Sequence, residues 1–567
     1  MSHDLAIVNG TVVDGSGGPP YPADVVVDGD RITAVTTPGE GGNARRTIDA
    51  DGTLVTPGFV DIHSHYDGQA TWDTVLTPSS WHGVTTVVMG NCGVGFAPVR
   101  PSDHGTLIEL MEGVEDIPGT ALHEGLSWDW ESFPDYLDAL DRGRRDVDVA
   151  AQVPHGALRL FVMGDRGARR EPASVPEISE MAELARQGVE AGALGFTTSR
   201  TRNHRTSTGD WTPTLTAAAD ELIGIARGLG RAGAGVLQVV SDFADQEAEL
   251  ATVLAMAEAS GRPLSISVAQ HGARPDAWRD LLAAIAAANA RGLEVRAQVA
   301  ARPVGLLLGL RTTLNPIGGS PTARRAAGDV EVLRRHEVRR IVLGELEERP
   351  PIFPWDQLFC LGETPDYEPG PDTSVGSLAR RAGVEPAEFA YDHLVDGDDD
   401  TFLYLPFLNY VDGDLEAARE MLVDPNAVLG LADGGAHVGM ICDGSFPTTM
   451  LTHWARDRTR GEKLPLEHVV AMQTARTARA VGLLDRGMVA AGYRADLNVI
   501  DLEGLTLHSP TIAFDLPAGG KRLLQRADGY VHTFVAGTET YAGGTHTGAL
   551  PGRLVRGHQP APQGAFP

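Results

Sequence analysis

Lysine is nearly absent: Lys463 and Lys521 are the only two in a chain of 567 residues. No glycine-rich loop can therefore end in Gly-Lys-Ser/Thr to cradle a phosphate, and a Schiff-base lysine would have to be one of those two C-terminal residues. A Gly-x-Ser-x-Gly nucleophile elbow is missing as well. Positive charge is scarce overall, with 47 Lys and Arg against 76 Asp and Glu and a formal net charge of −29. That balance argues against nucleic acid or an anionic membrane as a partner, because basic groups are needed to displace counterions. Three cysteines, Cys92, Cys360 and Cys442, are too few and too scattered for a disulfide framework and fit a reducing compartment. No segment approaches the ~20 apolar residues of a membrane span. Met1-Ser2-His3-Asp4 lacks the basic and apolar features of a signal peptide, so a soluble, cytoplasmic protein is expected.

What is present is globular: 42% hydrophobic and 22% charged residues in a chain too long for one small core. A catalytic domain with at least one accessory module is expected. The most informative run is Gly58-Phe59-Val60-Asp61-Ile62-His63-Ser64-His65, an apolar strand ending in His-x-His. On an extended strand residues i and i+2 project from one face, so both imidazoles can share a metal ion.

Short β-branched runs with Asn-Gly and Asp-Gly turns fill the first 57 residues, and similar runs recur at 495–501 and 529–537. The two ends are expected to meet in one small β-sandwich, residues 1–57 with 487–567. Between them, eight buried-type runs alternate with helical stretches: 59–65, 85–92, 147–155, 193–199, 236–241, 264–270, 293–300 and 428–433. This pattern predicts an α/β protein with a (β/α)8 TIM-like barrel over 58–486. Residues 302–400 are too long for an ordinary connection and read as an insertion over the barrel mouth.

Four pieces of this chain, Pro57 to His65, Gly83 to Gly93, Gly192 to Phe196 and Gly492 to Leu497, resemble the amidohydrolase superfamily. The likeness is greatest to its N-acyl-D-amino-acid deacylase (D-aminoacylase) branch. It implies an active site at the C-terminal ends of the barrel strands, with His63, His65, Cys92 and Asp433 as metal residues. By the same resemblance Asp433 binds metal or takes a proton from the activated water; His437, four residues further on, is a candidate hydrogen-bond partner behind the ligands or a general acid. The branch carries one histidine on its fifth strand and one on its sixth. Here those stretches, Gly235 to Asp242 and Pro263 to His271, have none in register, and no lysine precedes Lys463 to serve as a bridging carbamate. One Zn2+ per chain is therefore expected.

Ser199-Arg200-Thr201-Arg202-Asn203-His204-Arg205 is a dense cationic loop after the fourth strand. Guanidinium groups bind carboxylates in bidentate fashion, so Arg200, Arg202 and Arg205 with His204 suit a small substrate bearing a carboxylate, or else pair with the protein's own acids. His155, Gln238 and Gln270 are further candidates for substrate contact. The expected reaction is hydrolysis of a non-peptide amide bond in an N-acyl amino acid through a metal-activated water. Action on a cyclic amide, ester, carbamate or C–C bond, or a metal-depleted scaffold, stays open at this point. Asp515 to Gly520 and the tail from Gly548 to Arg556 are expected to clasp the barrel or a second copy of the chain.

Overall fold

The structure is a computed structural model that describes residues 2–563. Both chain ends build one nine-stranded sheet. Its seam is the antiparallel pairing of Leu54–Pro57 with Leu497–Ile500, in register from Leu54 opposite Ile500 to Pro57 opposite Leu497. These two strands are buried on both faces: Val55, Leu497 and Val499 join Ile7, Val25, Val27 and Phe534 in a core separate from the rest of the molecule, while Leu54 and Ile500 face the main core.

All eight runs read as buried strands are strands, mutually parallel. They are β1 (Phe59–Asp61), β2 (Val84–Met89), β3 (Asp148–Ala151), β4 (Val153–Pro154), β5 (Gly195–Arg200), β6 (Val236–Ser241), β7 (Leu264–Ser267), β8 (Val295–Val299) and β9 (Ala427–Leu429). The third run differs from expectation by dividing at Gln152. Residues 148–151 pair with β2 and residues 153–154 with β5, and Pro154 has no N–H to extend the ladder. The order is β1-β2-β3 in one sheet and β4-β5-β6-β7-β8-β9 in the other. Backbone bonds join the two on both flanks: Leu194 N–H donates to Ala151 O at 2.8 Å, His65 N–H to Gly434 O at 2.8 Å and Asp433 N–H to His63 O at 3.0 Å. The last two place the end of β9 against the His-x-His pair.

Helices pack outside these strands, among them the Ala-rich Gln246–Ser260 and Ala277–Ala290, whose high propensity was legible in composition. Between β8 and β9 lies a three-stranded antiparallel sheet, in which Leu403–Pro406, just beyond the expected 302–400 stretch, lies between Gly305–Leu308 and Phe359–Cys360. Leu333, Val342, Leu346, Tyr391 and Leu394 supply a core of its own. The C-terminal tail lies on the parallel strands, with Val149 N–H donating to Arg553 O and Val555 N–H to Val149 O. The hairpin of Thr511–Leu516 and Gly520–Leu524 reaches the β9 loop through Leu523 N–H to Val438 O at 2.7 Å. Among the described residues no helix is long and apolar enough to cross a membrane.

Candidate metal centre

His63 and His65 leave β1 on one face because Ser64 between them turns to β2, its N–H and hydroxyl both donating to Val88 O. Asp61 Oδ1 accepts from His63 N–H at 3.0 Å and fixes the bend. Gln298 on β8 decides the tautomer of His63. Its Oε1 can only accept, so His63 Nδ1 carries the proton at 2.7 Å and Nε2 is left as a donor atom. That Nε2 lies 3.3 Å from Cys92 Sγ and 3.3 Å from Asp433 Oδ1, and His65 Nε2 lies 3.6 Å from the same oxygen.

Cys92 is delivered by strain. Gly90 (φ +83°) and Cys92 (φ +55°) are both left-handed, and a Cβ on Gly90 would stand 2.3 Å from Gln152 O. Cys92 N–H then donates to Gln238 Oε1 at 3.3 Å. Leu431, Asp433 and His437 in the β9 loop are also non-glycine residues with positive φ. Such outliers persist only where the surroundings over-determine them.

Ligand atoms of His63, His65 and Cys92 lie within 4.8 Å of one another, and all three residues are buried. Donors bonded at ~2.1 Å around a tetrahedral ion stand about 3.4 Å apart, so the 3.3–3.6 Å spacings here suit a metal. Among the described residues His65 Nδ1 and Nε2, Asp433 Oδ1 and both carboxylate oxygens of Glu115 are buried without a hydrogen-bond partner. A bound cation would satisfy such a set. Burial raises the pKa of the Cys92 thiol well above its ordinary value, and the charges of Glu115 and Asp433 raise it further. Burial would raise Asp433 too, but the imidazoles of His65, His63 and His437 gathered around it outweigh burial and lower its pKa below the ordinary carboxylate value.

The amidohydrolase family model matches residues 46–338 and 360–541. The chain belongs to this family. The unmatched gap falls within residues 302–400, and the resemblance to the D-aminoacylase branch is shown by relatives spanning nearly the whole chain. D-aminoacylase of Alcaligenes xylosoxydans xylosoxydans is 28% identical over 97% of each chain. N-acyl-D-glutamate deacylase of the same organism is 30% identical over 90% of each. Among solved structures, a D-aminoacylase with a binuclear metal centre superposes with a TM-score of 0.65 at 26% identity, over 98% of this chain and 100% of that one. N-acyl-D-glutamate deacylase from Bordetella bronchiseptica, with zinc and a phosphonate inhibitor, gives 0.63 at 25% identity over the same shares.

In this amidohydrolase His437 and His204 stand beside the centre. His437 Nε2 is 3.9 Å from Asp433 Oδ2 and 3.7 Å from Glu115 Oε2. His204 Nδ1 is 2.9 Å from Ser199 Oγ, and burial together with the charges of His437, His65 and His63 pushes its pKa down to about 3. Gln238 is present too, through Cys92. Other expected contacts are placed elsewhere. His155 is fully buried with Nδ1 on Thr198 and Nε2 on Glu221, each at 2.8 Å, so it holds the core beneath β5 instead of facing substrate. Arg200 is committed to Glu249 at 2.7 and 2.8 Å and to Ala217 O, the internal pairing that the excess of acids permits. Gln270 ties down the loop at Asn409 to Asp412, with Nε2 donating to Asp412 at 2.8 Å. Arg202 and Arg205 are exposed, the latter 5.2 Å from the Trp211 ring.

Sequence reasoning missed Gln298 and Glu115. Gln298 could have been found as the polar residue near the end of an otherwise apolar eighth run. Glu115, at the end of α1 (His104–Glu115), carries no local signal.

Proposed function

We propose that this amidohydrolase hydrolyses the amide bond of an N-acyl amino acid with one bound divalent metal, most simply Zn2+. The observation that carries the reading is the convergence of His63, His65, Cys92 and Asp433 in a chain similar along its whole length to D-aminoacylase and N-acyl-D-glutamate deacylase. Those names also make the D configuration the first to test. The architecture that goes with it is a closed (β/α)8 barrel over 58–486, with 1–57 and 487–567 as a composite β-sandwich; the backbone bonds on both flanks of the parallel strands support closure.

A divalent ion in this position supplies Lewis acidity toward the scissile carbonyl. His63, with Nδ1 held by Gln298, presents Nε2, and His65 presents its own; Cys92 and Asp433 bring negative charge that balances the cation. Asp433, kept ionised by its neighbours, accepts the proton of the attacking water at a carboxylate oxygen and returns it to the departing nitrogen. His437, beside Asp433 Oδ2, takes part in that proton transfer, and His204 contributes a neutral hydrogen-bonding group at the mouth. With Arg200 engaged by Glu249, Arg202 and Arg205 are the cations left to attract the substrate carboxylate. A one-metal mechanism fits the missing histidines of β6 and β7, and in the similar D-aminoacylase one metal activates while a second attenuates.

The test is metal analysis coupled to a panel of N-acetyl-D- and N-acetyl-L-amino acids, before and after chelation. About one equivalent per chain, with activity lost on chelation and restored by zinc, is expected. Undiminished hydrolysis in fully metal-free protein, or no hydrolysis of any member by the zinc-loaded protein, would overturn the reading.

A further inference from the structure

Glu115 is a carboxylate where a protein interior tolerates few: its side chain is 1% exposed, and neither oxygen has a hydrogen-bond partner among the described residues. It stands between two imidazoles, with Oε1 3.2 Å from His65 Nδ1 and Oε2 3.7 Å from His437 Nε2. The placement is built. Gly113, two residues earlier, packs so closely on the cationic loop that an added Cβ would lie 2.1 Å from Thr206 C, and Ser207 N–H donates to Glu109 O. On the other side Asp116 Oδ2 accepts from Gly439 N–H at 3.1 Å and from the Thr313 hydroxyl at 2.7 Å. The end of α1 is thus locked between the loop carrying His204 and the loop carrying His437.

We propose that Glu115 is the positioning residue of the metal centre, holding His65 through Nδ1 so that Nε2 faces the ion, and linking that histidine to His437. The inference rests on the one-metal reading above. A carboxylate behind a ligand imidazole fixes its tautomer and raises its basicity, and losing such a group weakens metal binding roughly 10–100-fold. It acts from behind the ligand, since Asp433 Oδ1 already lies on the Nε2 side of both histidines.

Glu115→Gln keeps size and replaces the acid by an amide that cannot become a carboxylate. The zinc Kd, measured by competition with a chromophoric chelator, is expected to weaken roughly 10–100-fold. The Co2+-substituted variant should keep the wild-type visible bands, including the charge transfer from the Cys92 thiolate, and the metal-free variant should unfold at or above the wild-type temperature because a buried acid with no hydrogen-bond partner is gone. Unchanged zinc affinity would overturn the proposal. Altered Co2+ bands would overturn it in favour of direct ligation, and a lower metal-free melting temperature in favour of packing alone. His63→Ala is the control: if it too binds zinc like wild type, the one-metal reading itself has failed, and the Glu115 proposal with it.

Discussion

Replacing Gln298 by Met tests whether one buried amide sets the donor quality of His63. Gln298 is 2% exposed, His63 is fully buried, and the bond between them is 2.7 Å. A Cβ on Gly430 would lie 3.0 Å from Gln298 Oε1, so the amide is confined from the β9 side as well. Methionine fills nearly the same volume without an acceptor. His63 then either keeps its Nδ1 proton unpaired, at a cost of about 1–3 kcal/mol, or moves the proton to Nε2 and loses its lone pair toward the centre. Both routes weaken the metal-bound state, by roughly 10–100-fold in affinity or about 1.4–2.8 kcal/mol. The assay is chelator competition for zinc, with circular dichroism to establish that the variant is folded. Gln298→Glu gives the opposite sign, since a carboxylate accepts from Nδ1–H more strongly, and should bind zinc at least as tightly as wild type. A folded Met variant within about twofold of wild-type affinity, or a Glu variant weaker than the Met variant, would refute the reasoning.

Gly90→Ala meets both a left-handed backbone and Gln152 O at 2.3 Å, so it should cost about 1–2 kcal/mol in backbone strain and a further ~1–3 kcal/mol in displacement, read by urea denaturation; a loss below about 0.5 kcal/mol contradicts this. Glu368 is buried, yet the nearby His453 imidazole and hydrogen bonds from Arg458 and Leu415 N–H overcome the burial and hold its pKa at about 2 against an ordinary 4.5. A depressed folded-state value contributes stability above the ordinary pKa and loses it as pH falls toward the folded one. The full difference corresponds to about 3 kcal/mol, which solvent in the adjoining cleft screens to about 2 kcal/mol. Glu368→Gln should therefore lower stability by at least that amount at pH 7, with the gap from wild type closing between pH 4.5 and pH 2; a gap independent of pH denies the carboxylate its role. Arg200→Met removes charged hydrogen bonds to Glu249 and should cost about 1.5–3 kcal/mol in stability with KM unchanged. A rise in KM without loss of stability would return Arg200 to the substrate site.

The strands and the His-x-His pair were legible because they depend on local pattern. A buried parallel strand must be apolar almost throughout, and His-x-His is visible as a motif, although the strand ends at Asp61 and it is the bend after it, with Ser64 bonded to Val88, that turns both imidazoles to one side. Arg200 shows where local reading stops. A guanidinium suits a substrate carboxylate and Glu249 equally well, and only the packing of β5 against the helix Gln246–Ser260 selects the second. His155 followed the same course: its position at a strand end was legible, but the acid that engages it lies 66 residues away on another helix.

The centre itself carries this furthest. Each of three candidate ligands has one polar neighbour from a distant element: His63 has Gln298, 235 residues on; Cys92 has Gln238, 146 residues on; and His65 has Glu115 on α1. None of these partners belongs to a motif, because an amide or carboxylate behind a ligand needs only the right place in space. The strand-end histidines that the deacylase branch would supply on β6 and β7 are absent, while Gln238, on that same β6, supports Cys92 through its backbone N–H. On the one-metal reading proposed above, the centre relies on how firmly three donors are oriented, more than on how many it can recruit. The consequence is directional: substitutions at Gln298, Gln238 and Glu115 should lower metal affinity while leaving the set of coordinating atoms unchanged, whereas substitutions at His63, His65 or Cys92 should change that set.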